Sequence, residues 1–399
     1  MLRERAFRNL YLSAAVGGFG TQVGHVALPL LAVTGLAAGP AEVGLLSALG
    51  TISVLLVGLP AGAWIDRRRK RPLMIAADLA RAALLAWVPV AAWLGVLTMG
   101  QLYAVAVLAG VCALVFDVSA QSFLPALVGR DRLVRANSLL LGTGAVMDIS
   151  GRSFAGVLVG LAGAPAGVLL HALTSLWSAA FLRSVRSHEP PPASAERPAL
   201  AVQAAEGVRF VLSHPTLRPI VVQGAMTNLA FPLFTALLPL LVVSQLGYPA
   251  WVLGVYLAVG GAGALAGSAG AHAVGRRFGR GRAVWVVSLI TMPASVLVPL
   301  IGPGPWIWVS ALAWFVFTYR SGLNNVLLIS FRQQVTPDEM LGRMNATMRL
   351  ILMGAVGVGG LLAAFVGEVW GMRAALWTGA VFGALSWMPI YFSPLRAER

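Results

Sequence analysis

Charge is scarce in this chain. Of 399 residues only 11% are Asp, Glu, Lys or Arg, against about 25% in a soluble globular domain. Cysteine and lysine are scarcer still, with one of each, Cys112 and Lys70. One cysteine excludes an intrachain disulfide. Together with five scattered histidines it offers no metal-ligand spacing, so no metal site is expected. The Gly-x-x-x-x-Gly-Lys phosphate loop is missing, which disfavours an ATP-driven pump. No Ser/His/Asp grouping has a spacing that supports nucleophilic catalysis, so no enzyme is expected.

Acids number 14 against 29 basic residues, a formal charge of +15. Such an excess invites a nucleic-acid partner, but its placement argues otherwise. Charge-free runs such as 9–41, 43–65, 82–116, 153–182, 219–275 and 283–319 separate the basic groups. A bilayer-spanning helix needs roughly 20 mostly apolar residues, so several runs hold two spans. Continuous rather than alternating apolarity favours helices over a membrane barrel. The expected spans are 8–33, 41–65, 73–95, 100–127, 136–161, 164–184, 217–245, 250–274, 283–301, 304–331, 344–368 and 372–394. Counted by alternating these twelve, 25 of the 29 Lys and Arg fall on one face. That bias makes this face, with both termini, cytoplasmic. The bilayer, with anionic headgroups against the basic loops, is then the expected partner rather than nucleic acid. No cleavable signal is expected, because the first apolar run far exceeds a signal core.

Residues 187–198 read SHEPPPASAERP, a polar Pro-rich linker. Ala204, Val208, Val211 and Leu212 follow at helical spacing, predicting a short amphipathic helix on the cytoplasmic surface. This divides the chain into a six-helix bundle at 1–186, a linker at 187–216 and a second bundle at 217–399. The halves resemble each other. ALPLLAVT at Ala27–Thr34 pairs with LLPLLVVS at Leu237–Ser244, and VGRDRLVRAN at Val128–Asn137 with VTPDEMLGRMN at Val335–Asn345. The expected class is an all-α integral membrane protein of twelve transmembrane helices in two pseudo-symmetric bundles, the layout of transporters with parallel repeats.

The loop after the second span, GLPAGAWIDRRRKR at Gly58–Arg71, resembles the hallmark loop of the major facilitator superfamily. LPALV at Leu124–Val128, LVRAN at Leu133–Asn137 and LGRMN at Leu341–Asn345 resemble its bacterial macrolide-efflux and siderophore-exporter branch. The resemblance covers essentially the whole chain. It implies alternating access, proton-coupled export of an amphipathic small molecule, and a cavity lined by spans 1, 4, 7 and 10. The chain departs from the branch at Gly24-His25, where Gly-Asp is usual, and at Gly151-Arg152, where Gly-Pro is usual.

Candidate residues follow from charge inside apolar runs, which is costly and functional by default. Asp66 with Arg67, joined by Arg135 and Arg343 in the matching loops, is the expected cytoplasmic gate. Asp117, His25 and Asp148 are the proton-coupling candidates: the acids lie near mid-depth, and His25 stands where relatives carry an acid. Arg152, four residues after Asp148, shares its helix face. Gln22, Arg152, Asn228, Arg320 and Asn324 are the substrate-cavity candidates, whereas His171 reads as structural. The expected protein is a monomeric exporter in a bacterial cell membrane, using the proton gradient and no cofactor. Alternatives on the same scaffold are an importer, a lipid flippase or a non-transporting sensor.

Overall fold

The structure is a computed structural model and describes residues 4–66, 68–129, 132–185, 200–337 and 340–397. Among them there is no strand. Six long helices come first: α1 Arg5–Leu36, α2 Pro40–Asp66, α3 Lys70–Trp93, α4 Met99–Val128, α5 Leu133–Ala162 and α6 Ala164–Arg183. α7, Leu200–Ser213, follows the linker. Six further spans are α8 Leu217–Thr235 with a π-helical turn at Leu240–Gln245, α9 Ala250–Phe278, α10 Arg280–Ile290 with α11 Met292–Leu297, α12 Trp306–Val335, α13 Leu341–Val369, and α14 Met372–Leu385 with α15 Met388–Tyr391. Nine spans among the described residues are long and apolar enough to cross a membrane by length and composition alone.

The expected spans at 217–245, 283–301 and 372–394 are not single α-helices. Proline accounts for the breaks. It lacks an N–H and clashes with the preceding turn, and Pro239, Pro293 and Pro389 stand at the three interruptions. Two connections turn on glycine: Gly163 (φ 79°) and Gly304 (φ 64°) adopt the left-handed backbone that L-residues disfavour. Thr98 and Gln101 start α4 with a reciprocal capping box.

Two compact units result. One comprises Met1–Ala38, Leu49–Glu196 and Val242–Val255; the other Gly39–Ala48, Arg197–Leu241 and Tyr256–Arg399. The unit limits cut through α2 and α9, and glycine contacts give the reason. Within the first unit, a Cβ on Gly156 of α5 would lie 2.4 Å from Gly254 Cα at the start of α9. Within the second, a Cβ on Gly44 near the start of α2 would lie 2.5 Å from Ala364 Cβ of α13. Small residues allow helices this close where lipid supplies no hydrophobic drive.

The first unit's core joins Phe7 and Leu10 of α1 to Met74, Phe123, Leu124, Ala136 and Leu182. In the second, Val211 of α7 is buried with Leu217, Leu323, Phe331, Met344 and Met348. Trp314 stacks on Phe317 at 5.5 Å and on Tyr256 at 6.4 Å. Nine of the 12 tryptophans are exposed, as lipid-facing or interfacial anchors require; Trp285, Trp314 and Trp387 are instead packed inward.

Candidate functional site

Four of the candidates meet in the first unit. Arg152 stands one turn beyond Asp148 on α5, with Nη2 2.8 Å from Asp148 Oδ1. Its Nε donates to the same oxygen at 3.0 Å and to Gln22 Oε1 at 3.2 Å. Gln22 Oε1 lies 3.3 Å from His25 Nδ1, one turn along α1. Gln22, His25, Asp148 and Arg152 are therefore one connected cluster. It is half open, with the Arg152 side chain 22% and the Asp148 side chain 40% exposed. Gly151 makes the crossing possible: a Cβ there would fall 2.8 Å from Gln22 Cβ and 2.9 Å from Phe19 O. Asp117 is exposed on α4, close enough for its charge to act on Asp78 of α3.

That α3 residue belongs to a network the sequence reading missed. Asp78 is fully buried and Arg81 nearly so. Arg81 Nη2 donates to Asp78 Oδ1 at 2.6 Å and Arg81 Nε to Ser175 Oγ at 3.2 Å. Ser178 Oγ donates to Asp78 Oδ2 at 2.5 Å and lies 2.7 Å from Ser13 Oγ. The network ties α1, α3 and α6 together in the interior. Its signal was an Asp and an Arg three residues apart within an apolar span, a spacing that puts both on one helix face. His171 packs beside it: a Cβ on Gly24 would lie 2.2 Å from His171 Nδ1.

In the second unit, α8, α9, α12 and α13 line a half-open cavity of about 560 Å³. Asn228 and Asn324 line it as expected candidates, and so does Asn325, a polar neighbour on the same helix; Gln223, Arg332 and Arg349 join them, which the sequence reading did not select. Asn228 Nδ2 donates to Leu352 O at 3.1 Å and Asn324 Nδ2 to Ser288 Oγ at 2.9 Å. Arg320 does not line this cavity. It is fully buried, donates to Gly383 O at 2.8 Å and stacks 4.7 Å from the Phe317 ring centroid. On a helix, residues three or four apart share a face; periodicity alone did not reveal that Arg320, one turn before Asn324, reaches α14 instead of the cavity.

Of the gate candidates only Arg343 has a described side chain. Asp66 ends α2, but its side chain, all of Arg67 and the side chain of Arg135 lie outside the described residues. Arg343 of α13 pairs with Glu206 of α7 at 2.7 Å, both half exposed. Such a surface pair contributes about 0–1 kcal/mol. Part of the basic run has a second use: Arg71 donates to Leu182 O at 3.0 Å and Arg183 O at 2.6 Å. It thereby satisfies the last carbonyls of α6, where a cation also complements the helix dipole.

The profile of the Major Facilitator Superfamily matches residues 10–355. The chain belongs to this superfamily. It is 27% identical to the multidrug efflux pump Tap of Mycolicibacterium fortuitum over 389 residues, 92% of this chain and 90% of Tap. It is 28% identical to the enterobactin exporter EntS of Escherichia coli O1:K1 / APEC over 229 residues, 55% of this chain and 51% of that exporter. The match to the exporter thus spans about half its length. Among solved structures, the nucleoside transporter NupG superimposes with a TM-score of 0.76 at 11% identity, covering 97% of this chain and 99% of NupG. A bacterial homologue of the iron transporter ferroportin, in its inward-facing state, gives 0.75 at 18% identity, covering 97% and 98%. These likenesses support the twelve-span, two-bundle fold of a multi-pass membrane transporter and leave cargo open, since many functions share it.

Proposed function

We propose that this superfamily member is a proton-coupled exporter of an amphipathic small molecule, of the drug-like or siderophore kind that its named relatives suggest. The observation that carries this reading is the Gln22–His25–Asp148–Arg152 cluster. It sets two titratable groups and a fixed cation on hydrogen-bonding terms across α1 and α5. Proton gain by Asp148 would weaken its hold on Arg152 and free that cation for Gln22. A change of charge at one helix contact can bias two states of access. His25 and Asp117 complete the proton-exchanging set. Asp66, Arg67, Arg135 and Arg343 serve the cytoplasmic gate. The protein works as a monomer in the bacterial cell membrane with both termini in the cytoplasm. It needs the proton gradient and no cofactor.

Inverted vesicles test the reading directly. A panel of fluorescent amphiphiles should accumulate when a proton gradient is imposed and stop when it is collapsed. Asp117→Asn combined with His25→Ala should abolish the gradient dependence. Accumulation that ignores the gradient, or survives the double substitution, sinks the proton-coupled reading.

A further inference from the structure

The cavity of the second unit carries charge of one sign. Arg332 and Arg349 line it, and among the described residues lining it there is no carboxylate. This follows from a property of the chain: no Asp or Glu occurs from residue 207 to residue 337. Consequently α8, α9 and α12 bring no acid to the cavity. α13 has only Glu368, in its last turn, where it accepts from the Ala41 N–H at 3.2 Å.

One guanidinium donor is also unspent. Arg332 Nε is buried without an acceptor among the described residues. A buried N–H left so carries its full desolvation cost, which a ligand oxygen would remove. Asn324 is 3% exposed, with Nδ2 on Ser288 Oγ and Oδ1 without a partner among the described residues. A hydroxyl can donate as well as accept, so the amide can turn over and present N–H groups to the cavity with its Ser288 bond kept. Met348, Leu352 and Met353 supply an apolar wall, and methionine adapts to varied shapes.

We infer that this cavity binds the oxyanion of an amphipathic ligand, a carboxylate, sulfonate or phosphate group on an apolar body. Arg332 and Arg349 are its fixed positive charges. Guanidinium groups hold such oxygens with short, charge-assisted bonds. A cationic amphiphile meets two like charges instead and is rejected. Only the statement that this ligand is the exported one rests on the export reading; the binding preference does not.

Calorimetry on the full chain in neutral-lipid nanodiscs tests it with two probes sharing one aromatic body, 2-naphthalenesulfonate and 2-naphthylmethylammonium. The sulfonate should bind at least tenfold tighter. Arg332→Gln and Arg349→Gln should each erase most of that preference, while Arg332→Lys and Arg349→Lys retain it. Thermal melting separates lost binding from lost folding, and Arg218→Gln, outside the cavity lining, should change neither. Equal binding of the two probes, tighter binding of the ammonium, no binding of the sulfonate, or a preference unchanged in the Gln variants overturns the inference. A preserved preference without gradient-driven accumulation in vesicles would defeat the export reading and leave the oxyanion site standing. Accumulation without any preference would do the reverse.

Discussion

Asp78 and Arg81 are the pair whose loss the fold should feel most. Both are buried, and each relies on the other and on Ser175 or Ser178. Breaking a buried ion pair by removing one partner costs about 3–5 kcal/mol, because the other charge stays behind. Asp78→Asn should therefore lower the melting temperature of the purified protein sharply. Asp78→Leu with Arg81→Met should recover much of the loss, since apolar replacement of both removes the stranded charge. Equal losses in the single and the double variant would show that Asp78 contributes through packing alone. Arg320 poses the opposite case. It has no carboxylate partner among the described residues, and Gly383 O keeps Ser386 Oγ as a donor without it. Arg320→Met should leave thermal stability unchanged or raised. A large fall would mean that the guanidinium offsets its own desolvation within α12 and α14.

Helix contacts in the first unit depend on what is absent from side chains. A Cβ on Gly20 would lie 1.7 Å from Thr174 Oγ1, and one on Gly24 2.2 Å from His171 Nδ1. These α1 glycines let α6 approach, so their apolar run reads as a packing face rather than a cavity lining. Gly24→Ala should cost about 1–3 kcal/mol as an overpacking change. Adding His171→Ala should restore most of it, a coupling that thermal melting of the two single variants and the double variant measures. Independent, additive effects would place the strain elsewhere. That α1 is rich in glycine was legible in the sequence, at Gly17, Gly18, Gly20 and Gly24. Which partner each one meets was not, because a small residue faces whichever helix the fold brings to it.

At the scale of the molecule, the charge bias predicts orientation. In a Cys112→Ala background, Pro303→Cys in an outer turn should react with an impermeant maleimide in intact cells. Arg396→Cys should react only in inverted vesicles. The reverse pattern would invert the topology and with it the direction assigned to the gradient. The division into units was only coarsely legible. The predicted linker at 187–198 falls outside the described residues, and the units exchange the ends of α2 and α9. No local pattern marks such an exchange, because neither helix carries an Asp, Glu, Lys or Arg across the boundary, from 43 to 65 in α2 and from 250 to 275 in α9, and the glycine contacts are made with distant helices.

The amino-acid sequence by itself determined that the chain spans the membrane with helices, where most of them begin and end, that it repeats, and which charges lie within apolar runs. These are local quantities, set by hydropathy over about 20 residues and by the cost of charge in lipid. Tertiary structure alone decided which of those charges meet. It joined Gln22 and His25 to Asp148 and Arg152, buried Arg320 against α14, paired Asp78 with Ser178 and Arg81 with Ser175 of α6, and lined the second unit's cavity with Arg332 and Arg349. The reason is geometric. A helix offers every side chain a direction, but only the crossing of two helices, fixed here by glycines such as Gly151, chooses which directions converge.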